Sequence, residues 1–106
     1  MYLDNSMGYY VVSGGSMHPT FSSNDVVLWV DFPIENLRLG DIIVYRQPTL
    51  PDHPVIVHRV CDVAEPGRVR TKGDDQSEPG DYYVTGEYYE GLIIGTLFTS
   101  STGWHA

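Results

Sequence analysis

The apolar residues of this chain fall into short runs separated by turns, and this pattern predicts a β protein. Residues 26–30 form a continuous apolar run of the kind found in strands that are buried on both faces. Three prolines precede the run at 55–60 and exclude a helix there. The pattern predicts seven strands, at residues 9–12, 26–30, 42–45, 55–60, 69–71, 82–85 and 92–98.

Length and turn residues indicate a single domain over residues 1–106. Its 106 residues match the usual size of one domain, and we find no internal repeat or linker. The eleven glycines and seven prolines are spread evenly and leave no room for a long amphipathic helix. We therefore expect a mainly β fold: a small, folded antiparallel sheet or barrel-like domain with little helix.

The charge balance limits the partners. Fourteen acidic residues against six basic ones give a net charge of −8, which argues against nucleic-acid binding and against a polybasic contact with anionic lipid. No run approaches the roughly 20 apolar residues of a membrane span, so the chain alone is expected to be soluble. The chain contains one cysteine, Cys61, and one lysine, Lys72, and neither an internal disulfide nor a metal-ligand spacing is found.

Three segments carry candidate chemistry. Ser16 follows two glycines on a sharp loop, which exposes a hydroxyl and leaves backbone N–H groups open toward an oxyanion. His58 lies in the predicted strand at 55–60, and a histidine can take a serine proton at neutral pH. The acidic loop at 71–81 offers carboxylates that can orient a histidine. Taken alone, each segment also has a structural interpretation, as a plain turn, a hydrogen-bonded strand histidine or a solvated loop.

Together these segments resemble the sequence boxes of type I signal peptidases. The run Ser16-Met17-His18-Pro19-Thr20 is similar to the Ser-Met-x-Pro box of that family. The other similarities are Gly-Asp followed by apolar residues at 39–45, the general-base box at 57–60, Lys-Gly-Asp at 71–74 and Ile-Gly at 90–95. The five boxes occur in the family's order and span Tyr10 to Leu97, so the resemblance covers nearly the whole chain.

One position selects a branch of this family. His58 stands where bacterial members carry lysine, which resembles the archaeal and endoplasmic-reticulum type and implies a Ser/His/Asp arrangement. Ser16 is then the expected nucleophile and His58 the general base. The family has a further aspartate six residues after its Gly-Asp aspartate. Here Gly80 falls at that offset and Asp81 lies one residue beyond it. A one-residue insertion would make Asp81 the carboxylate partner of His58, and otherwise Asp74 is the candidate; we rank Asp81 slightly ahead.

The oxyanion side departs from the family pattern. Two glycines, and not one, separate Ser13 from Ser16, so the backbone N–H of Ser16 is the expected donor ahead of the Ser13 hydroxyl. Gly15 and Met17, which flank the nucleophile, complete the expected oxyanion and substrate-binding set. Arg59 is expected to act structurally, by holding an acidic side chain or a backbone carbonyl.

The resemblance implies hydrolysis of one peptide bond in secretory preproteins, after small residues. The substrate is expected to lie extended beside the segment before Ser16, and no metal or organic cofactor is expected. Family members are membrane-associated through an N-terminal anchor, with the catalytic domain on the extracytoplasmic or lumenal side. We expect that this anchor was removed from the chain; an unusual soluble member is the other interpretation. Two alternatives remain: a self-cleaving repressor-type protease with a Ser16/Lys72 dyad, and a non-catalytic peptide-binding β domain.

Overall fold

The computed structural model describes residues 7–98, which form one antiparallel sheet of seven strands in the order β1-β2-β7-β3-β4-β5-β6. A single turn of 3₁₀ helix, Ile34–Asn36, is the only helix in this described part. The strands are β1 Met7–Val11, β2 Val26–Val30, β3 Ile42–Arg46, β4 Val55–Glu65, β5 Arg68–Lys72, β6 Val84–Thr85 and β7 Tyr89–Phe98. The expected mainly β, antiparallel fold is therefore confirmed.

Every predicted run contains a strand, and the largest difference in bounds concerns β4. This strand continues to Glu65, five residues beyond the predicted end at residue 60. It pairs with β5 across a turn at Pro66-Gly67, where Gly67 adopts a φ of 88°. Because residues 61–65 extend past the core and are mostly exposed, they lack the apolar pattern that marks the first half of the strand.

The prediction that residues 26–30 are buried on both faces is wrong. In β2 only Val27 is buried, and its four neighbours are half-buried. The strand buried on both faces is β3, where Ile43, Val44 and Tyr45 are all buried. The reason is position, since β2 lies beside the edge strand β1 whereas β3 is the central strand of the sheet.

The core consists of two clusters that lie on opposite faces of β3, because successive side chains of this strand point to alternate faces of the sheet. Val44 belongs to the first cluster, whereas Ile43 and Tyr45 belong to the second. The first cluster holds Val12, Met17, Phe21, Val27, Val44 and Val57. The second holds Leu37, Ile43, Tyr45, Val60, Val69 and Val84.

The connection between β1 and β2 is tied to the sheet. Val12 N–H donates to the Asp25 carbonyl at 2.8 Å, and Asn24 N–H donates to the Val12 carbonyl at 2.7 Å, so the base of the loop is closed. Within the loop Met17 and Phe21 are buried in the first cluster. Ser16 precedes Met17 directly, and its position therefore follows from the packing of a core residue. Within residues 7–98 no helix has the length and apolarity that crossing a membrane requires.

Candidate active site

Ser16 and His58 meet in the folded chain although 42 positions separate them in sequence. The Ser16 Oγ lies 3.0 Å from the His58 Nε2. His58 lies on β4 and is only 8% exposed, while Ser16 is half-buried in the β1–β2 loop. This distance is within the range over which a base takes a proton from a hydroxyl.

Gly73 sets how closely the loop after β5 approaches Ser16. A Cβ at Gly73 would lie 2.5 Å from the Ser16 carbonyl oxygen and 2.9 Å from the Ser16 Cβ. Asp75 N–H donates to that same carbonyl oxygen at 2.8 Å. Only a residue without a side chain allows this approach, so Gly73 and Asp75 fix the Ser16 backbone from the β5 side.

Asp74 joins the β1–β2 loop to β4. Its carboxylate accepts two hydrogen bonds from Arg59, from Nε and Nη2, each at 2.9 Å, and one from the Thr20 hydroxyl at 2.5 Å. Arg59 Nη1 also donates to the Gly40 carbonyl at 3.0 Å. Arg59 therefore holds both an acidic side chain and a backbone carbonyl, and its expected structural role is confirmed.

The Nδ1 side of His58 faces three hydroxyls, from the buried Tyr45 and Thr71 and the half-buried Tyr82, and no carboxylate. The Tyr45 hydroxyl lies 3.5 Å from Nδ1. It also lies 2.7 Å from the Thr71 Oγ1 and 2.7 Å from the Tyr82 hydroxyl. Sequence reasoning missed these three residues, because Tyr45 and Thr71 read as ordinary strand residues and Tyr82 as the start of another strand.

The carboxylate partner expected for His58 is not in place. Asp81 is exposed and hydrogen-bonds to no other described residue, and Asp74 is engaged by Arg59 and Thr20. The local backbone explains the position of Asp81. Gly80 is tied to β5 through its N–H to the Thr71 carbonyl and its carbonyl to the Arg70 guanidinium, each at 3.0 Å. With Gly80 fixed in this way, the side chain of Tyr82, and not that of Asp81, reaches the Tyr45 hydroxyl beside His58.

The electrostatics favour a neutral His58. Burial lowers the pKa of His58 to about 4, while Asp74 raises it and Lys72 lowers it by smaller amounts. The Arg59 guanidinium holds the pKa of the Asp74 carboxyl below its usual range. At neutral pH the imidazole is thus uncharged and can accept a proton.

The lone lysine is engaged elsewhere. Lys72 Nζ donates to the Gly73 carbonyl at 3.1 Å and to the Gln76 carbonyl at 2.6 Å, both in its own loop. Among the described contacts, none joins this amine to Ser16. Of the two candidate bases, only His58 contacts Ser16 among the described residues.

Of the residues expected on the oxyanion and substrate side, Ser13 and Met17 line a small pocket of about 40 Å³ beside Ser16, whereas Gly15 does not. Ser13 is exposed, and Met17 is buried with its sulfur accepting the Asp74 N–H at 3.4 Å. The exposed Gly15 accepts the His18 N–H on its carbonyl at 3.0 Å. The pocket lining is Tyr10, Val12, Ser13, Ser16, Met17, Val55, Ile56 and Val57.

Comparison of the chain with protein-family models, curated proteins and solved structures finds no match. Within residues 7–98, no group of three or more His, Cys, Asp or Glu side chains is arranged to hold a metal ion. Any functional assignment therefore depends on the geometry of the Ser16 site and on the sequence boxes.

Proposed function

We propose that this chain is a serine endopeptidase domain in which Ser16 is the nucleophile and His58 the general base. The observation that carries the proposal is the 3.0 Å contact between Ser16 Oγ and His58 Nε2. A serine hydroxyl is a weak nucleophile until an adjacent base takes its proton, and an imidazole that is neutral at pH 7 is free to accept it.

The mechanism begins with proton transfer from Ser16 Oγ to His58 Nε2 as Oγ attacks the scissile carbonyl carbon. The oxyanion that forms is held by the backbone N–H of Ser16, with the neighbouring exposed loop at Ser13 and Gly15 open to the substrate. His58 then gives the proton to the leaving amine, which yields an acyl-enzyme. A water that His58 deprotonates releases the acyl group.

The pocket and the sheet edge favour an extended substrate with a small residue at the cleaved bond. The pocket beside Ser16 is small, at about 40 Å³. A pocket of this size favours a small side chain at the cleaved bond over a bulky one. Among the described residues β1 pairs with β2 alone, so its other edge is open to a peptide that adds as a strand.

These features fit the signal peptidase type that the sequence boxes resemble. The proposed substrates are secretory preproteins, cleaved after small residues, and the proposed location is membrane-associated on the extracytoplasmic or lumenal side. The engagement of Lys72 by two backbone carbonyls argues against the repressor-type Ser/Lys dyad. The non-catalytic peptide-binding domain is the other outcome of the test below.

The test is cleavage of a preprotein-derived peptide that carries alanine before the scissile bond. We expect wild type and Lys72→Ala to cleave it, and Ser16→Ala and His58→Ala to lose roughly 1,000-fold or more in kcat. Matched controls are Ser77→Ala and His53→Gln, which remove the same residue types outside the site and are expected to keep wild-type rates.

Two results would overturn parts of the proposal. Cleavage that survives His58→Ala but not Lys72→Ala would replace the histidine mechanism by the lysine one. Peptide binding without cleavage by the wild type, with detergent or lipid present, would establish the non-catalytic domain instead.

A further inference from the structure

Three hydroxyl groups lie beside the His58 imidazole, on the side away from Ser16. They belong to Tyr45 on β3, Thr71 on β5 and Tyr82, which precedes β6. Tyr45 and Thr71 are completely buried. Hydroxyls removed from water are costly unless they are hydrogen-bonded, and within the described residues no buried side-chain polar atom lacks a partner. The group is therefore a defined hydrogen-bond network.

The protons of this network can be assigned by counting. A phenol hydroxyl donates one hydrogen bond and accepts up to two. Burial raises the pKa of Tyr45, so its phenol is protonated. Thr71 Oγ1 and the Tyr82 hydroxyl each lie 2.7 Å from its oxygen, and the phenol donates its one hydrogen to one of them and accepts from the other. The remaining lone pair is then available to Nδ1 at 3.5 Å.

We propose that Tyr45 is a positioning residue that holds His58 in the tautomer with hydrogen on Nδ1 and a free lone pair on Nε2. Nδ1–H donates to the Tyr45 oxygen, and Nε2 then accepts the proton of Ser16. The catalytic consequence rests on the proposed function, whereas the tautomer itself is a property of the folded chain. A neutral phenol here takes the place that a carboxylate was expected to occupy.

The neutral partner changes how the base works. A carboxylate both orients an imidazole and stabilises its charged form, whereas a phenol does the first far better than the second. The rings of Tyr45 and His58 meet edge to face, with centroids 6.3 Å apart and planes at 71°, so the contact restrains the imidazole plane. The charged groups that act on His58 are Asp74 and Lys72, which oppose each other.

The experiment is ¹⁵N NMR of the histidine ring nitrogens, combined with peptide cleavage kinetics. In wild type at pH 7 we expect His58 to carry its hydrogen on Nδ1. In Tyr45→Phe the Nδ1–H loses its acceptor, so we expect a population with hydrogen on Nε2 and a fall of about tenfold in kcat with KM unchanged. Tyr89→Phe is the matched control, since the Tyr89 hydroxyl donates to the Phe32 carbonyl at 2.7 Å and is not part of this network.

A wild-type His58 with hydrogen on Nε2 would overturn the proposal, and this measurement needs no variant to fold. A Tyr45→Phe protein that keeps both the wild-type tautomer and the wild-type kcat would overturn it as well. If the tautomer is as predicted and shifts in Tyr45→Phe, but the wild type cleaves no peptide, the network is supported and the proposed function fails.

Discussion

At the scale of single residues, the candidate site centres on one histidine whose two ring nitrogens contact different groups. Nε2 lies 3.0 Å from the Ser16 Oγ, and Nδ1 faces the Tyr45 hydroxyl. Burial keeps this imidazole neutral, because a charged ring would lose its hydration without a carboxylate in hydrogen-bond contact to compensate. An imidazole of this kind is uncharged at all pH values above about 4.

The pH dependence of cleavage follows from the pKa of His58, which is lowered to about 4. A general base acts only when neutral, so activity is present above this pKa and is lost as pH falls through it. With a peptide that has no titrating group, we expect kcat/KM to be level from pH ~8 to ~5 and to fall roughly tenfold per pH unit below pH ~4.

The groups that act on the ring in this range are Asp74 and Lys72, with Tyr45 protonated throughout. Circular dichroism at each pH separates loss of the fold from titration of the base. A half-maximal rate near the ordinary histidine pKa of about 6.5 would contradict a desolvated His58.

At the scale of elements, Ser16 lies in a loop that is anchored in the core and that contacts the segment following β5. Met17 and Phe21 bury one side of the β1–β2 loop in the first core cluster. Thr20 of the same loop donates to Asp74, which Arg59 on β4 also binds. Gly73 lets the backbone after β5 pass against Ser16. The acidic loop thus contacts Ser16 and fixes its backbone, whereas the sequence pattern predicted that the loop's carboxylates orient His58.

Replacement of Gly73 by alanine tests this contact. The new Cβ would lie 2.5 Å from the Ser16 carbonyl oxygen, which is backbone and cannot simply rotate away, so Ser16 and the segment at residue 73 must move apart. Because a shift of about 1 Å at a reacting group can cost roughly 100-fold in rate, we expect a loss of that order in kcat. Gly86→Ala is the matched control, since a Cβ there meets no atom within 4 Å. A Gly73→Ala enzyme as fast as the control would show that this approach does not position the nucleophile.

The sequence predicted the strands better than it predicted the contacts between them. Apolar runs bounded by glycine and proline located all seven strands, because that pattern reflects local burial. The Ser16 and His58 pair was also found from residue types in a familiar order. The partner of His58 was not found, because it depends on which side chains of β3 and β5 face β4 in the assembled sheet. The sequence around Tyr45 does not distinguish a tyrosine that only packs in the core from one that also orients a base.

At the scale of the whole molecule, the sheet leaves two edges within the described residues, and they differ in length. β6 has two residues, whereas β1 has five and leads directly into the loop that carries Ser16. Its outward residues Met7, Tyr9 and Val11 are exposed. An edge of five residues is long enough for a peptide strand to join, and in the proposed function this edge would bring the substrate to Ser16.

In the proposed mechanism Ser16 forms a covalent bond with the substrate, and mass spectrometry of the acyl-enzyme detects this bond. A peptide ester that ends in alanine is mixed with the protein, quenched in acid after a short time and digested. We expect the fragment containing Ser16 to gain the mass of the acyl group in wild type, to gain far less in His58→Gln and to gain none in Ser16→Ala. Hydrolysis of the ester with Ser16 unmodified at every time, or with the acyl group on another residue, would contradict it.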